Sequence, residues 1–300
     1  MPTFVLALII SGAALMMGNI LAFIFFMRRM NDVISSGKRR DNILMLIGLV
    51  LLFFFLLGYL FVGFILKSDD LVVGLILFFG SIFVTIMLLL TNALIKTSKQ
   101  RSLQIAQVLI DVVDVHDPNL HGHSAHVKNL TMMLYDYLPK QMKRGINVFS
   151  LEYASLMHDI GKLGIPQSIL NKPDKLTDEE WKIMKTHPQI GVKFLSKVPT
   201  FETISDWILY HHERPDGKGY YGKQPNEVPF PAKMISVCDT YSALVQRRSY
   251  KKPKSHEEAL KIMKEVAGTQ LDQELVAIFV SIPKEEFDEA LPKIDDSKKD

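Results

Sequence analysis

The sequence predicts an all-α chain, with three transmembrane helices followed by a cytoplasmic α-helical domain. Three observations predict it. First, charge is unevenly spread along the 300 residues. Up to Ile95 there are six basic residues (Arg28, Arg29, Lys38, Arg39, Arg40, Lys67) and four acidic ones (Asp32, Asp41, Asp69, Asp70), whereas 29 basic residues, 28 acidic residues and all nine histidines lie beyond it. Second, three runs within the first part carry no charge at all. Third, no later segment alternates apolar and polar residues over a strand's length, while helix-start signals recur.

The charge-free runs are Thr3–Met27, Ile43–Leu66 and Leu71–Ile95. Each exceeds the roughly 20 apolar residues that a helix needs to cross about 30 Å of hydrocarbon. The stretch before the first run, Met1-Pro2-Thr3, has no basic side chain, and the run is longer than the apolar core of a signal peptide, so it reads as a retained anchor. Arg28–Asn42 holds five basic residues against two acidic ones, while Lys67–Asp70 holds one Lys and two Asp. Cytoplasmic loops collect Lys and Arg. The expected topology therefore puts the amino terminus outside, Arg28–Asn42 inside and everything from Lys96 onward in the cytoplasm, as in a multi-pass protein of the inner membrane. No Asp, Glu, Lys, Arg or His sits within a span, which argues against an ion or proton path. Gly48, Gly58, Gly63, Gly74 and Gly80 suit close helix packing.

The domain boundaries that follow are residues 1–95 for the membrane part, 96–115 for a connecting helix, 116–285 for the soluble domain and 286–300 for a polar tail. The net charge of +3 excludes a strongly basic nucleic-acid binder, and one cysteine, Cys238, excludes a disulfide framework and any cysteine-based zinc site. Gln100–Val115 continues the third span as a helix, solvated at first and then buried. Leu103, Ala106, Ile110 and Val113 make a seam too short for a coiled coil. Thr177…Glu180 and Ser255…Glu258 fit the capping box, in which a hydroxyl and a Glu three residues on satisfy free N–H groups. Gly161 and Gly268 stand where helix C-terminal glycines are expected. Phe201, Ile204 and Ile208 keep a helical spacing that runs into His211-His212, and Arg214–Phe230, rich in Gly and Pro, reads as a loop.

The candidate site residues are His123, His158-Asp159, His187, His211-His212 and Asp239. Imidazole nitrogen with carboxylate oxygen is a ligand set for Mn, Fe, Zn or Mg-type ions. Any one of these residues alone is a weak signal. His158-Asp159 closes the apolar helix Leu151–Met157, His211-His212 closes another, and Asp239 interrupts an apolar stretch. Burial at such places is costly without a cation or hydrogen-bond partners. Helices that each offer a His or Asp are how an α-bundle builds a metal site.

The run His158-Asp159-Ile160-Gly161-Lys162-Leu163-Gly164-Ile165-Pro166, then His187-Pro188, His211-His212-Glu213-Arg214, Asp216-Gly217-Lys218-Gly219-Tyr220 and Asp239-Thr240-Tyr241-Ser242-Ala243-Leu244, resembles the HD-GYP family of HD-domain phosphohydrolases. The resemblance covers roughly Ala106–Val280. It implies a helical domain that holds divalent ions, Fe or Mn foremost, with Mg, Ni and Zn also compatible. It implies hydrolysis of cyclic di-GMP to linear pGpG, with GMP as a further product. By position, the implied ligands are His123, His158, Asp159, His187, His211, His212 and Asp239, with Asp159 bridging two ions. Lys162 would meet the scissile phosphate, and Arg248 and Lys251 would hold the substrate phosphates. The implied partners are the lipid bilayer, a second copy and diguanylate cyclases, with no nucleic acid among them.

The chemistry fits that implication. Two ions about 3.5–4 Å apart share a bridging water and polarise the phosphoryl oxygens. Neutral His ligands leave more positive charge for the phosphate than carboxylates would, and Lys162 suits phosphate as a point charge. Two departures stand out. The name-giving Gly-Tyr-Pro is here Gly219-Tyr220-Tyr221, which is expected to loosen the loop because Pro fixes φ. Members with a third ion carry a carboxylate at the position of Asn119, so two ions are expected. Asp117, His121 and His126 flank that region and could support the ligands from behind, although solvation is the default for each. The alternatives are a catalytically weak receptor for cyclic di-GMP and a phosphohydrolase acting on another cyclic dinucleotide or nucleotide.

Overall fold

A computed structural model describes residues 3–31, 39–66, 70–116, 122–196, 199–246 and 252–292. Arg248, Lys251, Asp117, Asn119 and His121 lie outside the described residues, as do Ser35 and Ser68 in the two loops that bear on topology. The chain divides into two compact units, Met1–Ser102 and Leu103–Asp300.

The first unit is built from α1 (Thr3–Asn31), α2 (Arg39–Leu60), continued by a π-helical turn at Phe61–Leu66, and the beginning of α3 (Leu71–His116). Thr3–Met27, Leu46–Leu66 and Leu71–Ser98 are long and apolar enough to cross a membrane. Large apolar side chains such as Phe4, Phe25, Phe54, Phe64 and Leu94 stand exposed on them. Such a surface is unfavourable in water and suited to lipid.

Inside this unit the few polar groups are paired. Asn19 Nδ2 donates to the Ser81 carbonyl at 3.2 Å, Thr85 Oγ1 donates to Asn19 Oδ1 at 3.0 Å, and the Tyr59 hydroxyl donates to the Leu77 carbonyl. These bonds pin α1 and α2 to α3 where hydrocarbon would otherwise leave the groups unsatisfied. The glycines expected to permit close packing divide into two groups. A Cβ at Gly48 would stand 3.0 Å from Phe23, one at Gly63 3.0 Å from Ile9 and one at Gly74 3.3 Å from Val5. Gly58 and Gly80 have nothing within 4 Å. The tightest approach is at Gly12, where a Cβ would lie 2.7 Å from the Tyr59 ring.

The second unit is helical, and its described residues include no strand, only an isolated bridge between Ala267 and Leu271. After α3 come α4 (His123–Tyr137), α5 (Val148–Met157), a 3₁₀ turn at Ile160–Gly164, α6 (Gln167–Leu170), α7 (Asp178–Met184) and α8 (His187–Leu195). A second 3₁₀ turn (Pro199–Ile204) leads into α9 (Ser205–Leu209), followed by α10 (Phe230–Val245), α11 (His256–Val266), α12 (Gln273–Phe279) and α13 (Lys284–Glu289). Both expected capping boxes form, at Thr177/Glu180 and Ser255/Glu258. α5 is apolar nearly all round because it is central, with Leu151, Ala154, Leu156 and Met157 all at most 1% exposed. The same core holds Leu130 and Leu134 of α4, Ile208 of α9, and Met234, Val237 and Cys238 of α10. The end of α3 adds Ala106 and Ile110 to the same core.

Three local expectations are corrected. Helix α9 is only five residues long, and His211-His212 sit in the turn after it, because a 3₁₀ turn takes up the earlier part of the helical spacing. Gly268 does have the left-handed φ of +80° expected beyond α11, but Gly161 does not, since it lies within the 3₁₀ turn. A Cβ at Gly161 would fall 1.8 Å from the His187 carbonyl and 2.5 Å from the Gly191 nitrogen. Its role is close approach, letting α8 cross the backbone that follows Asp159. Finally, the soluble domain does not end at residue 285. Phe287 and Ala290 are buried in its core, and the Ala290 carbonyl accepts a hydrogen bond from Asn129 Nδ2 at 2.9 Å.

Candidate metal centre

Helix ends converge on one buried place. Gly122, with φ of 72°, turns the chain so that His123 opens α4. His158 caps the C-terminus of α5, and Asp159 precedes the 3₁₀ turn. His187 is the first residue of α8, which the Gly161–Gly191 contact draws against Asp159. His211 and His212 follow α9, while Asp239 comes from the middle of α10.

All seven candidate ligands meet there, in three overlapping groups whose offered atoms lie within 4.8 Å of one another: Asp159, His187, His211 and His212; His123, His158 and Asp159; and His158, His211 and Asp239. Asp159 belongs to two of these groups. Its Oδ1 lies 3.2 Å from His187 Nε2, while its Oδ2 lies 3.4 Å from His158 Nε2 and 4.0 Å from His123 Nε2. Asp239 Oδ1 lies 3.0 Å from His123 Nε2. Lys162, three residues after Asp159, brings Nζ within 2.6 Å of Asp159 Oδ2 rather than pointing into solvent. His123, His158, Asp159, His187 and His211 are at most 3% exposed.

The imidazoles are oriented from behind. The Nδ1 of His158 pairs with the Ser155 carbonyl at 2.8 Å, that of His187 with Met184 at 2.9 Å and that of His211 with Ile208 at 2.6 Å. Each bond to a carbonyl places the proton on Nδ1 and leaves an Nε2 lone pair facing the centre. Those three Nε2 atoms and Asp159 Oδ1 are buried without hydrogen-bond partners. Each such atom costs about 1–3 kcal/mol if left unsatisfied. Four aimed into one space is the pattern that a divalent cation relieves, so the residues fit the ions that the donor set implies.

Electrostatics agree. Burial alone would raise the Asp159 carboxyl, yet Lys162 and then His158 hold it well below the usual carboxylate range. Asp239 is likewise held low by His123 against the effect of burial. Burial, then neighbouring imidazoles, lowers His211 strongly and brings His212 to about 3. Burial lowers His126 to about 4 and also lowers His123, where Asp239 opposes it. Burial would lower His158, but Asp159, with Asp239 and the Ser155 carbonyl, raises it on balance.

A pH dependence follows. The unfolded chain protonates these histidines near 6.5. Groups depressed in the folded state contribute stability that is whole above that pH and lost below it, at about 1.4 kcal/mol per pH unit for each proton bound only by the unfolded chain. His158, shifted the other way, acts above 6.5 and adds no slope below it. The chelator-treated chain should therefore become steadily less stable to denaturant from pH 6.5 to 4.5. A flat profile over that window contradicts the buried neutral state of His126, His211 and His212.

The loop after His212 holds features that motif reading passed over. Glu213, 5% exposed, accepts the Tyr221 N–H at 2.6 Å and the Lys223 N–H at 2.7 Å. A Cβ at Gly219 would lie 2.6 Å from Glu213 Cα, so only glycine lets the loop close this tightly. The loop is thus tied, not loosened, where Tyr221 replaces proline, through an N–H that proline lacks. It sets Tyr220 against His212, with ring centroids 4.5 Å apart, and against Trp181 of α7 at 6.2 Å. Lys185 Nζ stands 5.5 Å from the Tyr220 ring and 5.9 Å from that of Trp181. Trp181 and Lys185 are one helical turn apart, but Tyr220 lies far along the chain, so no sequence pattern signalled this wall. His126, expected to be solvated, is fully buried.

A helical domain with a buried His/Asp centre suited to divalent ions is the class of protein that fold and site define. The chain belongs to the HD domain family, whose model matches residues 107–275. It is 35% identical over 185 residues to a cyclic di-GMP phosphodiesterase of Thermotoga maritima, covering 61% of this chain and 50% of that one. It is 33% identical over 190 residues to the 3′3′-cGAMP-specific phosphodiesterase 1 of Vibrio cholerae, covering 62% and 43%. The solved structure of Bd1817, a HDG"Y"P protein from Bdellovibrio bacteriovorus, matches with a TM-score of 0.45 at 19% identity, over 53% of this chain and 50% of that one. The family model and the two curated relatives agree with the HD-GYP resemblance of the motifs. The chain spans half or less of the length of these curated relatives.

Proposed function

We propose that this chain is a membrane-anchored, metal-dependent phosphodiesterase that hydrolyses cyclic di-GMP. The observation that carries the reading is the sharing of Asp159 between two clusters of buried imidazoles. Two divalent ions, Fe or Mn, would be held by His123, His158, Asp159, His187, His211, His212 and Asp239, and when bound they supply Lewis acidity and a nucleophile at neutral pH. The chain's own residues do the rest. Asp159 offers one oxygen to each cluster and so fixes their spacing. Lys162 gives up Asp159 to carry its charge to a nonbridging phosphate oxygen, where negative charge grows in the transition state. Arg248 and Lys251 belong to this reading as phosphate-holding groups. The Trp181–Tyr220 wall, with Lys185 over it, presents aromatic faces and a cation beside the centre, as a nucleobase next to a phosphate requires.

The test uses the full chain in detergent with Mn(II) and cyclic di-GMP, 3′3′-cGAMP or cyclic di-AMP, with products resolved by chromatography. Cyclic di-GMP should yield linear pGpG, with GMP accumulating later if at all, and a chelator should stop the reaction. Faster turnover of 3′3′-cGAMP, the substrate named for the Vibrio relative, would move the assignment within cyclic dinucleotides. Binding without turnover would make the chain a receptor.

The three apolar helices support a bilayer anchor, and the basic excess of Arg28–Asn42 supports an orientation with the domain in the cytoplasm. Cysteines introduced at Ser35 and Ser68 of the intact cell report this directly. An impermeant thiol reagent should label the second and not the first. Labelling at Ser35 alone would invert the topology and separate the domain from a cytoplasmic messenger. A second copy and diguanylate cyclases remain proposed partners, each to be sought with the full chain.

A further inference from the structure

His126 is a buried histidine that the ligand set leaves unexplained. It lies one helical turn after His123 on α4, is 0% exposed, and its Nε2 has no hydrogen-bond partner. An imidazole with one bare nitrogen is a costly way to fill space. Its other nitrogen has one contact of note: Nδ1 is 3.0 Å from the hydroxyl of Ser242, which is itself fully buried on α10. The same hydroxyl is 2.9 Å from His123 Nδ1, and Gln246 Oε1 is 3.2 Å from that nitrogen. The other imidazoles whose Nε2 faces the centre from His158, His187 and His211 are backed by backbone carbonyls, which can only accept. His123 is backed instead by a hydroxyl, which can also donate and would then stabilise the wrong tautomer.

We infer that His126 is a positioning residue, which accepts the Ser242 hydroxyl proton and so commits the Ser242 oxygen to receive Nδ1–H from His123, leaving His123 Nε2 free to ligate. A serine hydroxyl has one proton, so its direction decides which neighbour is the acceptor. With His126 taking that proton on Nδ1, the His126 proton resides on Nε2, and Gln246 Oε1 supports the same His123 tautomer. No proton is gained or lost overall. The inference rests on the metal reading of the site, and it adds a layer behind the seven ligands in which His126 and Gln246 lie outside the quoted motifs.

The test is a double-mutant cycle on the full chain, read as Mn(II) affinity with denaturant stability of the chelator-treated protein alongside. Outer-layer partners of ligating histidines are worth about 10–100-fold in metal affinity. Ser242→Ala and His126→Leu should each weaken Mn(II) binding by about tenfold or more. The double variant should bind no worse than Ser242→Ala alone, because His126 acts only through that hydroxyl. His126→Asn, which keeps an acceptor near the Nδ1 position, should restore most of the affinity even where packing stability is not restored. Independent, multiplying losses in the double variant would overturn the relay, as would unchanged affinity in His126→Leu or failure of His126→Asn to recover any. Should the unaltered chain bind no Mn(II), the metal reading itself falls and takes the relay with it. Binding by that chain together with a wrong pattern in the variants removes the relay alone.

Discussion

Asp159→Ala is expected to abolish turnover to the limit of detection and to reduce bound metal from two ions to one or none. Among the described residues, no other side chain belongs both to the His187–His211–His212 group and to the His123–His158 group. Removing it takes away one oxygen from each and leaves the surrounding imidazoles with no anion to offset two dications. It also strands Lys162, whose ammonium is 2.6 Å from the lost carboxylate. That charge would then face the ions and repel them. Because the side chain is only 3% exposed, water cannot readily substitute for it. The measurement is metal analysis of the purified full chain beside product formation. Normal metal content with normal activity in this variant would remove the site assignment.

Lys162→Ala is expected to differ in kind, keeping its metal while losing rate. One preorganised cation at a transition-state phosphate is worth about 3–4 kcal/mol, or about two to three orders of magnitude in kcat. Without substrate, Lys162 neutralises Asp159. With ions bound, that carboxylate has other partners and the ammonium is available to the phosphate. The variant should therefore bind Mn(II) at least as well as the unaltered chain, since a competing cation has gone. Metal loss equal to that of Asp159→Ala would assign Lys162 a structural part only.

Much of this was legible in the residues, and the rest was not for identifiable reasons. The three long apolar helices were readable because some twenty consecutive positions of each obey one rule, the absence of charge. The helical class and both capping boxes were readable because caps are local. The seven candidate ligands that the fold brings together were marked out partly by chemistry that is costly in apolar helices (His158-Asp159, His211-His212, Asp239), and for His123 and His187 by the HD-GYP resemblance. What escaped was set by tertiary approach. Gly161 looked like a helix stop, yet its neighbour across space is the His187 carbonyl, which no local pattern encodes. Tyr221 in place of proline suggested a loose loop. The clamp comes from Glu213, eight residues earlier, through backbone N–H groups that no side-chain motif displays. His126 read as a surface residue because its helix face could not be fixed until α10 was seen to cover it. The tail boundary slipped because Phe287 is a lone aromatic in a charged helix, and its burial depends on packing beside Tyr241 and Phe279.

The central claim is that Asp159 holds two ions in one centre. Electron paramagnetic resonance of the full chain titrated with Mn(II) tests it most directly, because two ions sharing a carboxylate are magnetically coupled and an isolated ion is not. The account predicts that the signal of bound Mn(II) at saturation is that of a coupled pair, with two ions per chain, and that Asp159→Ala shows only uncoupled metal. A single uncoupled ion per chain at saturation, insensitive to Asp159→Ala, would contradict it.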